Sequence, residues 1–215
     1  MQLTRNRIIG ATMELIEHDG IDAVSMRRLA TELGCSVMSL YNYVPSKAAL
    51  LDAVAEAVMS GIEFTPMPDA SWAERVQFQA RTFRQLARAH PLCAMIAVSR
   101  PATSVVPLRL VERALDTLRE AGFSGDDSAR LVRTFVAYIL GSLLGEVGVA
   151  PALAGVDQAV GPGAWSRRTL KAQDFPQVTS AAIELGRNDP DADFEFGLDL
   201  LVRAMATLLP ARVRQ

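Results

Sequence analysis

Apolar residues recur every three to four positions along most of the chain, and no stretch alternates strictly enough to read as a strand. That spacing is the period of an α-helix, so the chain reads as all-α. Ile8, Ile9, Ala11, Thr12, Leu15 and Ile16 stripe a first helix, which Thr4 caps and Asp19-Gly20 ends after about His18. Leu29, Ala30 and Leu33 stripe a second. Ser25 precedes it as an N-cap, and Gly34 follows where a left-handed residue closes a helix. A third is capped by Ser36 and runs to about Tyr43, because Pro45 disfavours helical geometry in the residue before it. Leu40 and Val44 point inward on this pattern, which leaves Val37, Met38, Ser39, Asn42 and Tyr43 outward and Tyr41 at the edge. Ser46 then opens a helix from Lys47 to about Gly61, with Leu50, Leu51, Val54, Val58 and Ile62 apolar.

EFTPMPDAS, with two prolines and no period, reads as a linker. A second set of helices follows. Ser71 and Glu74 form a capping box ahead of a helix to about Ala89, with Val76, Phe83, Leu86 and Ala87 toward the core. Pro91 starts a short apolar helix. Another spans about Val105 to Ala121, with Leu108, Val111, Leu115 and Leu118 on one face. Ser124 and Asp127 cap a long helix to about Val149. Residues 150–175 are rich in Gly and Pro and read as a lid-like segment. A modest helix is expected near 177–186. Asp189-Pro190 then provides a cap and a first-turn proline for a last helix to about Leu209.

Residues 25–47 have the logic of a helix-turn-helix, whose second helix offers side chains to the major groove. The run LATELGCSVMSLYNYVPSKAALLDAV resembles the DNA-binding motif of the tetracycline-repressor (TetR) family of bacterial transcription regulators. Leu-Ala, Leu-Gly at the turn, Leu-Tyr in the reading helix, Lys47 and Leu50-Leu51 carry the likeness. Further on, LREAGFSGDDSARL and YILGSLLGE resemble the subgroup of the tetracycline repressor itself. The resemblance implies an N-terminal helix-turn-helix domain over 1–46, a connecting helix over 47–62, and a C-terminal ligand-binding and dimerisation domain over 63–215. It also implies a cytoplasmic, nucleoid-associated regulator, most simply a repressor, that binds palindromic operator DNA as a homodimer and releases it on binding a small inducer.

Position by position, the family's DNA contacts fall on Ser25, Arg27, Val37, Met38, Ser39, Tyr41, Asn42, Tyr43 and Lys47. Arg27 has the paired donors that suit guanine O6 and N7, and Asn42 has the donor and acceptor that suit adenine N6 and N7. Val37 and Met38 suit thymine methyl groups, while Ser25, Tyr41 and Lys47 suit phosphate. The plainer alternative makes Arg27 and Arg28 solvated charges and Tyr41 a packing residue. The subunit pairing that the family implies would use Leu131, Phe135, Tyr138, Ser142 and Leu143 on one helix, and Leu198, Leu201, Met205 and Leu208 on the last. Gly141, Ser142, Gly145 and Gly197 would permit close approach. The alternative is that these stripes face their own core.

In the tetracycline-binding subgroup a histidine three residues before a threonine and an Arg-Pro pair holds a magnesium chelate. Aligned on Arg100-Pro101, those places hold Ile96 and Ser99 here, so the chelating pattern is broken and a mainly apolar ligand without metal or cofactor is expected. Candidate pocket residues are Phe83, His90, Met95, Ser99, Arg100, Phe135, Glu146 and Trp165, with Met59, Phe64 and Phe78 as further bulky candidates.

Composition narrows this only slightly. The chain has 215 residues, half of them hydrophobic, and a formal net charge of −2, so bulk charge does not point to nucleic acid. The first sixty residues carry more acids than bases, but Arg27, Arg28 and Lys47 all lie in the motif. Cys35 and Cys93 are too few for a disulfide framework or zinc site. MQLTRNRIIG is not a signal peptide, and the uncharged run between Arg133 and Glu146 is shorter than the ~20 residues of a membrane span. No nucleophile elbow, zinc-helix motif, P-loop or dinucleotide fingerprint supports an enzyme. An activator or adaptor acting through a protein partner remains the alternative to a repressor.

Overall fold

The computed structural model describes residues 3–62, 67–100, 105–146, 175–181, 184 and 189–209. Among these residues the fold is all-helical. The helices are α1 (Arg5–Asp19), α2 (Met26–Leu33), α3 (Val37–Tyr41), α4 (Lys47–Ser60), α5 (Trp72–Ala89), α6 (Pro91–Ser99), α7 (Val105–Glu120), α8 (Gly125–Glu146), α9 (Pro176–Ser180) and α10 (Pro190–Ala206). A 3-10 turn at Ile21–Ala23 joins α1 to α2.

The caps read from the sequence are formed. Thr4, Ser25, Ser36 and Ser46 each accept an amide proton from the first turn of the helix they precede. Ser71 and Glu74 satisfy one another's backbone amides as a capping box. Asp189 accepts from Ala192 at the start of α10, with Pro190 at the first helical position. α3 closes at Tyr41, two residues earlier than the spacing predicts. Its last turn tightens, with both Tyr43 N–H and Val44 N–H donating to the Leu40 carbonyl, as the chain turns extended ahead of Pro45.

α1 to α3 enclose a small core of Ile8, Ile16, Val24, Leu29 and Leu40, all at 2% exposure or less. α4 is the element common to both halves. Leu50 and Val54 belong to the main core, while Ala55 and Met59 join Ile62 and Ala97 of α6 in a second apolar cluster. α6 lies along α4, and α5, α7, α8 and α10 complete the larger half. Trp72 and Phe123 meet edge to face with ring centroids 5.4 Å apart, tying the start of α5 to the turn before α8.

α10 is held by charge as well as by apolar contact. Arg84 of α5 is 7% exposed and donates to Asp191 Oδ1 at 2.7 Å, Glu146 Oε1 at 2.6 Å and the Pro190 carbonyl at 2.9 Å. Its guanidinium also lies 4.3 Å from the centroid of the Phe194 ring. Arg88 contacts the same two carboxylates, and Arg81 forms a two-pronged bond with Glu195. Tyr138 of α8 stacks on Phe194 and donates to its carbonyl at 2.7 Å. Gly197 sits where a Cβ would overlap the Tyr138 ring, so its smallness serves an approach of helices within one chain.

That packing places several of the residues read for a subunit interface within the single chain. Leu143, Leu198 and Met205, expected at a subunit interface, are buried in the chain's own core at 3%, 0% and 2% exposure. Leu131, Phe135, Tyr138, Ser142 and Leu201 are half-buried, and only Leu208 of that set is exposed. Outward lie Phe196, Leu200 and Ala204 of α10 and Leu208 just past its end, a second stripe at four-residue spacing. The last helix is apolar on two faces, and periodicity cannot rank them. On α7, Leu118 is buried but Leu108 and Val111 are exposed. Gly145's surroundings, Phe64, Trp165 and all of segment 150–175 except Phe175 lie outside the described residues.

Removing Arg84 should cost more than removing a surface charge, because it leaves Glu146 without its best partner at 11% exposure. We expect Arg84→Met to lower stability by about 3 kcal/mol, read as a fall in the urea midpoint. The Arg84 hydrogen bond holds the Asp191 carboxyl below its usual range, and Arg81 does the same for Glu195. Depressed folded-state values mean that the contribution is complete above the unfolded pKa values near ~4 and is lost as pH falls through the folded ones. Thermal melts at acid pH should therefore lose less stability in Arg84→Met than in wild type.

Candidate nucleic-acid interface and ligand cavity

Two local features build the exposed helix α3. Gly34, at φ 65° and ψ 37°, ends α2 in the left-handed region, and the amide after it returns to the Ala30 carbonyl at 2.9 Å. Ser36 then caps α3 and shares a 2.8 Å hydrogen bond with the Ser39 hydroxyl. Leu40 anchors the helix in the core, and Val37 packs half-buried at its edge.

The outer face of this region carries the residues read from the sequence. Met38 is 73% exposed, Tyr41 44% and Tyr43 42%. Asn42 is exposed at the C-cap of α3, and Ser25 and Arg27 are exposed at the start of α2. Arg27 and Arg28 differ. Arg28 is paired with Asp19 and lies 3.8 Å from Glu32, whereas no side-chain partner of Arg27 is recorded among the described residues. Lys47 Nζ reaches the Ile21 carbonyl at 3.4 Å, which leaves two of its protons uncommitted. Tyr43 donates its hydroxyl to the Leu3 carbonyl at 3.0 Å. Ser39 is half-buried and bonded to Ser36, so Met38 stands further out than its neighbour.

A cavity of about 300 Å³ lies between α4, α5, α6, α7 and α8. Its walls are almost entirely apolar, formed by Met59, Val76, Ala80, Phe83, Ala97, Val98, Pro107, Leu110, Val111, Ala114, Leu118, Val132, Phe135, Val136 and Ile139. Gln79 and Arg100 are its polar members. Gln79 donates to Thr117 Oγ1 at 2.8 Å. Arg100 Nε donates to Asp52 Oδ1 at 2.7 Å, and its terminal nitrogen reaches the Ala48 carbonyl at 3.3 Å. One lining side chain is thus bonded to the first two turns of α4.

Of the pocket residues read from the sequence, Phe83, Arg100 and Phe135 line this cavity, as does Met59 from the wider set. The others described do not. His90 joins α5 to α6 as a helix cap, Met95 is half-buried elsewhere on α6, and Ser99 is exposed and bonded to the Ile96 carbonyl. Glu146 is engaged by Arg84 and Arg88. Gln79 and the small residues Ala80, Ala97 and Ala114 went unread because an alanine on a helix face gives no signal of whether it borders a void. Among the described residues no group of three or more His, Cys, Asp or Glu could hold a metal ion.

Comparison with known proteins places this arrangement. Residues 8–54 match the tetR family of bacterial regulatory proteins, and residues 65–209 match the tetracyclin repressor-like C-terminal domain. The chain belongs to the TetR family. It is 32% identical to the class A tetracycline repressor protein from transposon 1721 of Escherichia coli, over 95% of this chain and 91% of that protein. It is 30% identical to the transcriptional repressor DrrR1 of Streptomyces coeruleorubidus, over 65% of this chain but only 52% of that relative. Among solved structures, the TetR family protein ActR of Streptomyces coelicolor in complex with actinorhodin superposes with a TM-score of 0.79 at 29% identity, covering 98% of this chain and all of that one. This TetR-family chain is therefore a transcription regulator with a helix-turn-helix DNA-binding domain and a ligand-binding type of C-terminal domain. Among the described residues no helix is long and apolar enough to cross a membrane.

Proposed function

We propose that this protein is a homodimeric repressor that binds a palindromic operator and releases it when a small, mainly apolar inducer fills the cavity. The observation that carries the reading is the join between cavity and α4. Met59 of α4 lines the cavity, and Arg100, which also lines it, is bonded to Asp52 and the Ala48 carbonyl at the other end of that helix. A ligand that displaces α6 must move α4 or break those bonds. α4 begins at Lys47, directly after the helix-turn-helix, so its movement re-aims α3. Two reading heads must meet major grooves about 34 Å apart, and a shift of a few ångströms misaligns one half-site. The ligand acts only through a difference in its affinity for the two positions of α4.

The class of ligand follows from the walls. Apolar burial at about 25 cal/mol per Å² supplies the affinity, and Gln79 and Arg100 orient the molecule. Ile96 and Ser99 stand where the tetracycline-binding subgroup has its chelating pattern, which favours recognition without magnesium. The complex of ActR with actinorhodin, on a closely similar fold, supports a non-tetracycline inducer. For pairing, Phe196 and Leu200 of α10 and Leu208 just past its end offer an exposed apolar stripe, 69%, 52% and 54% accessible in the single chain. This stripe replaces the inward-facing residues as the dimer surface.

On DNA, Asn42→Ala should lower affinity for a selected operator by ~1–3 kcal/mol and leave random duplex almost unchanged. Lys47→Ala should weaken both and reduce the salt slope by about one phosphate contact. Gel-shift titrations at several salt concentrations decide this, and equal losses for Asn42→Ala on both duplexes would remove its base-reading role.

On assembly, Leu200→Glu should yield helical monomers by sedimentation and lose operator affinity. Leu198→Glu should unfold the chain instead, because Leu198 is fully buried. A monomeric wild type with full operator affinity would refute the dimer.

On the inducer, calorimetry against a panel of hydrophobic compounds and tetracycline should show binding that survives a metal chelator. Tight binding that disappears with the chelator would overturn the metal-free reading.

A further inference from the structure

Two tyrosines lie at the exposed end of this region, Tyr41 as the last residue of α3 and Tyr43 two positions beyond it. The structure separates them. Both are similarly accessible, Tyr41 at 44% and Tyr43 at 42%. The Tyr43 hydroxyl donates to the Leu3 carbonyl at 3.0 Å, across forty positions of chain, whereas no partner of the Tyr41 hydroxyl is recorded among the described residues. A phenol has one proton to donate. In Tyr43 that proton is committed to Leu3, and the remaining lone pairs can only accept. A DNA phosphate at neutral pH has no proton to offer, so Tyr41 can donate to the backbone of DNA and Tyr43, while bonded, cannot.

The bond also joins the chain leaving α3 to the segment ahead of α1. α3 has five residues, and Leu40 is its only fully buried side chain. A short helix with one deep anchor can pivot about it. Leu3 directly precedes Thr4, whose hydroxyl caps α1, and the Leu3 side chain packs against the core. Tyr43 therefore fixes the chain just past α3 to the segment just ahead of α1. On the other side, Lys47 reaches the Ile21 carbonyl just past the end of α1. α1 is thus met near both ends by the chain leaving α3.

We propose that Tyr43, which the family's pattern makes a DNA contact, is here a positioning residue for operator reading: it does not touch DNA but pins the segment ahead of α1 to the chain leaving α3 and so sets the pitch at which α3 enters the groove. The inference rests on the DNA-binding reading above. Its consequence is specific to sequence recognition. Base edges demand an accurate approach, whereas loose binding along phosphates does not.

The test compares full-length wild type, Tyr43→Phe and Tyr41→Phe on two probes. One is a duplex recovered by the wild-type protein from a randomised pool; the other is sonicated random-sequence duplex. Tyr43→Phe should bind the recovered duplex about tenfold more weakly, the scale of one lost hydrogen bond, and change little on random duplex. Tyr41→Phe should weaken both probes alike. Without DNA, trypsin cleavage after Arg5, followed by mass spectrometry, should accelerate in Tyr43→Phe and not in Tyr41→Phe. Equal loss on both probes for Tyr43→Phe would make it a direct phosphate contact and overturn the proposal. Unchanged cleavage would equally overturn it, because the tether would then hold nothing. A wild type that retains no duplex would defeat the DNA-binding reading and the proposal with it. The cleavage rates would still show whether the tether exists, so the two failures are distinguishable.

Discussion

The burial of α4 on more than one face is the constraint on which the rest of this structure depends. Leu50, Leu51, Ala53, Val54, Ala55, Val58 and Met59 are all buried, so this helix has no broad solvent face along its middle. Its partners lie on both sides, α1 in the smaller half and α6 and α7 in the larger. Close-packed interiors do not deform smoothly, so an element shared by two cores passes displacement from one to the other. The small N-terminal unit and the cavity are both built on this helix.

α6 shows how the two halves are fastened together. Its C-terminal end is tied to α4 through Arg100 and Asp52. At its N-terminal end His90 makes no side-chain cap, and the carboxylate of Glu17 on α1 serves instead, accepting from the amides of Leu92 at 3.2 Å and Cys93 at 2.9 Å. A negative charge there complements the helix dipole as well as the orphan amides. Both ends of a cavity-lining helix are therefore held by carboxylates from the N-terminal half. Burial raises the pKa of the Cys93 thiol beside this contact, with Glu17 adding to the effect, and it remains a small packing residue.

The charged cluster around Arg84 plays the corresponding part for α10. Glu146 lies at the last position of α8 and Asp191 at the start of α10, and one arginine from α5 bonds to both. Ion pairs of this kind specify an arrangement more than they stabilise it, because bringing the charges out of water offsets much of their attraction. Here they set which face of an apolar helix turns inward. That choice leaves Phe196, Leu200 and Leu208 in contact with solvent in the single chain.

The sequence by itself determined the elements that depend on neighbours a few residues apart. Helix starts at Ser25, Ser36, Ser46, Ser71 and Asp189 were legible because a cap bonds within three residues. The turn at Gly34 and the inward set Leu29, Ala30, Leu40 and Val44 were legible for the same local reason. Family membership was legible too, since the motif is one continuous run. Tertiary structure alone decided what depends on distant partners. Glu146 became an ion-pair partner and not a cavity residue because Arg84 lies 62 positions away. Gln79 and the alanines joined the cavity because five helices converge there. Leu198 and Leu200 have the same chemistry two residues apart, and only the docking of α10 against α5 and α8 sends one inward and leaves the other to water.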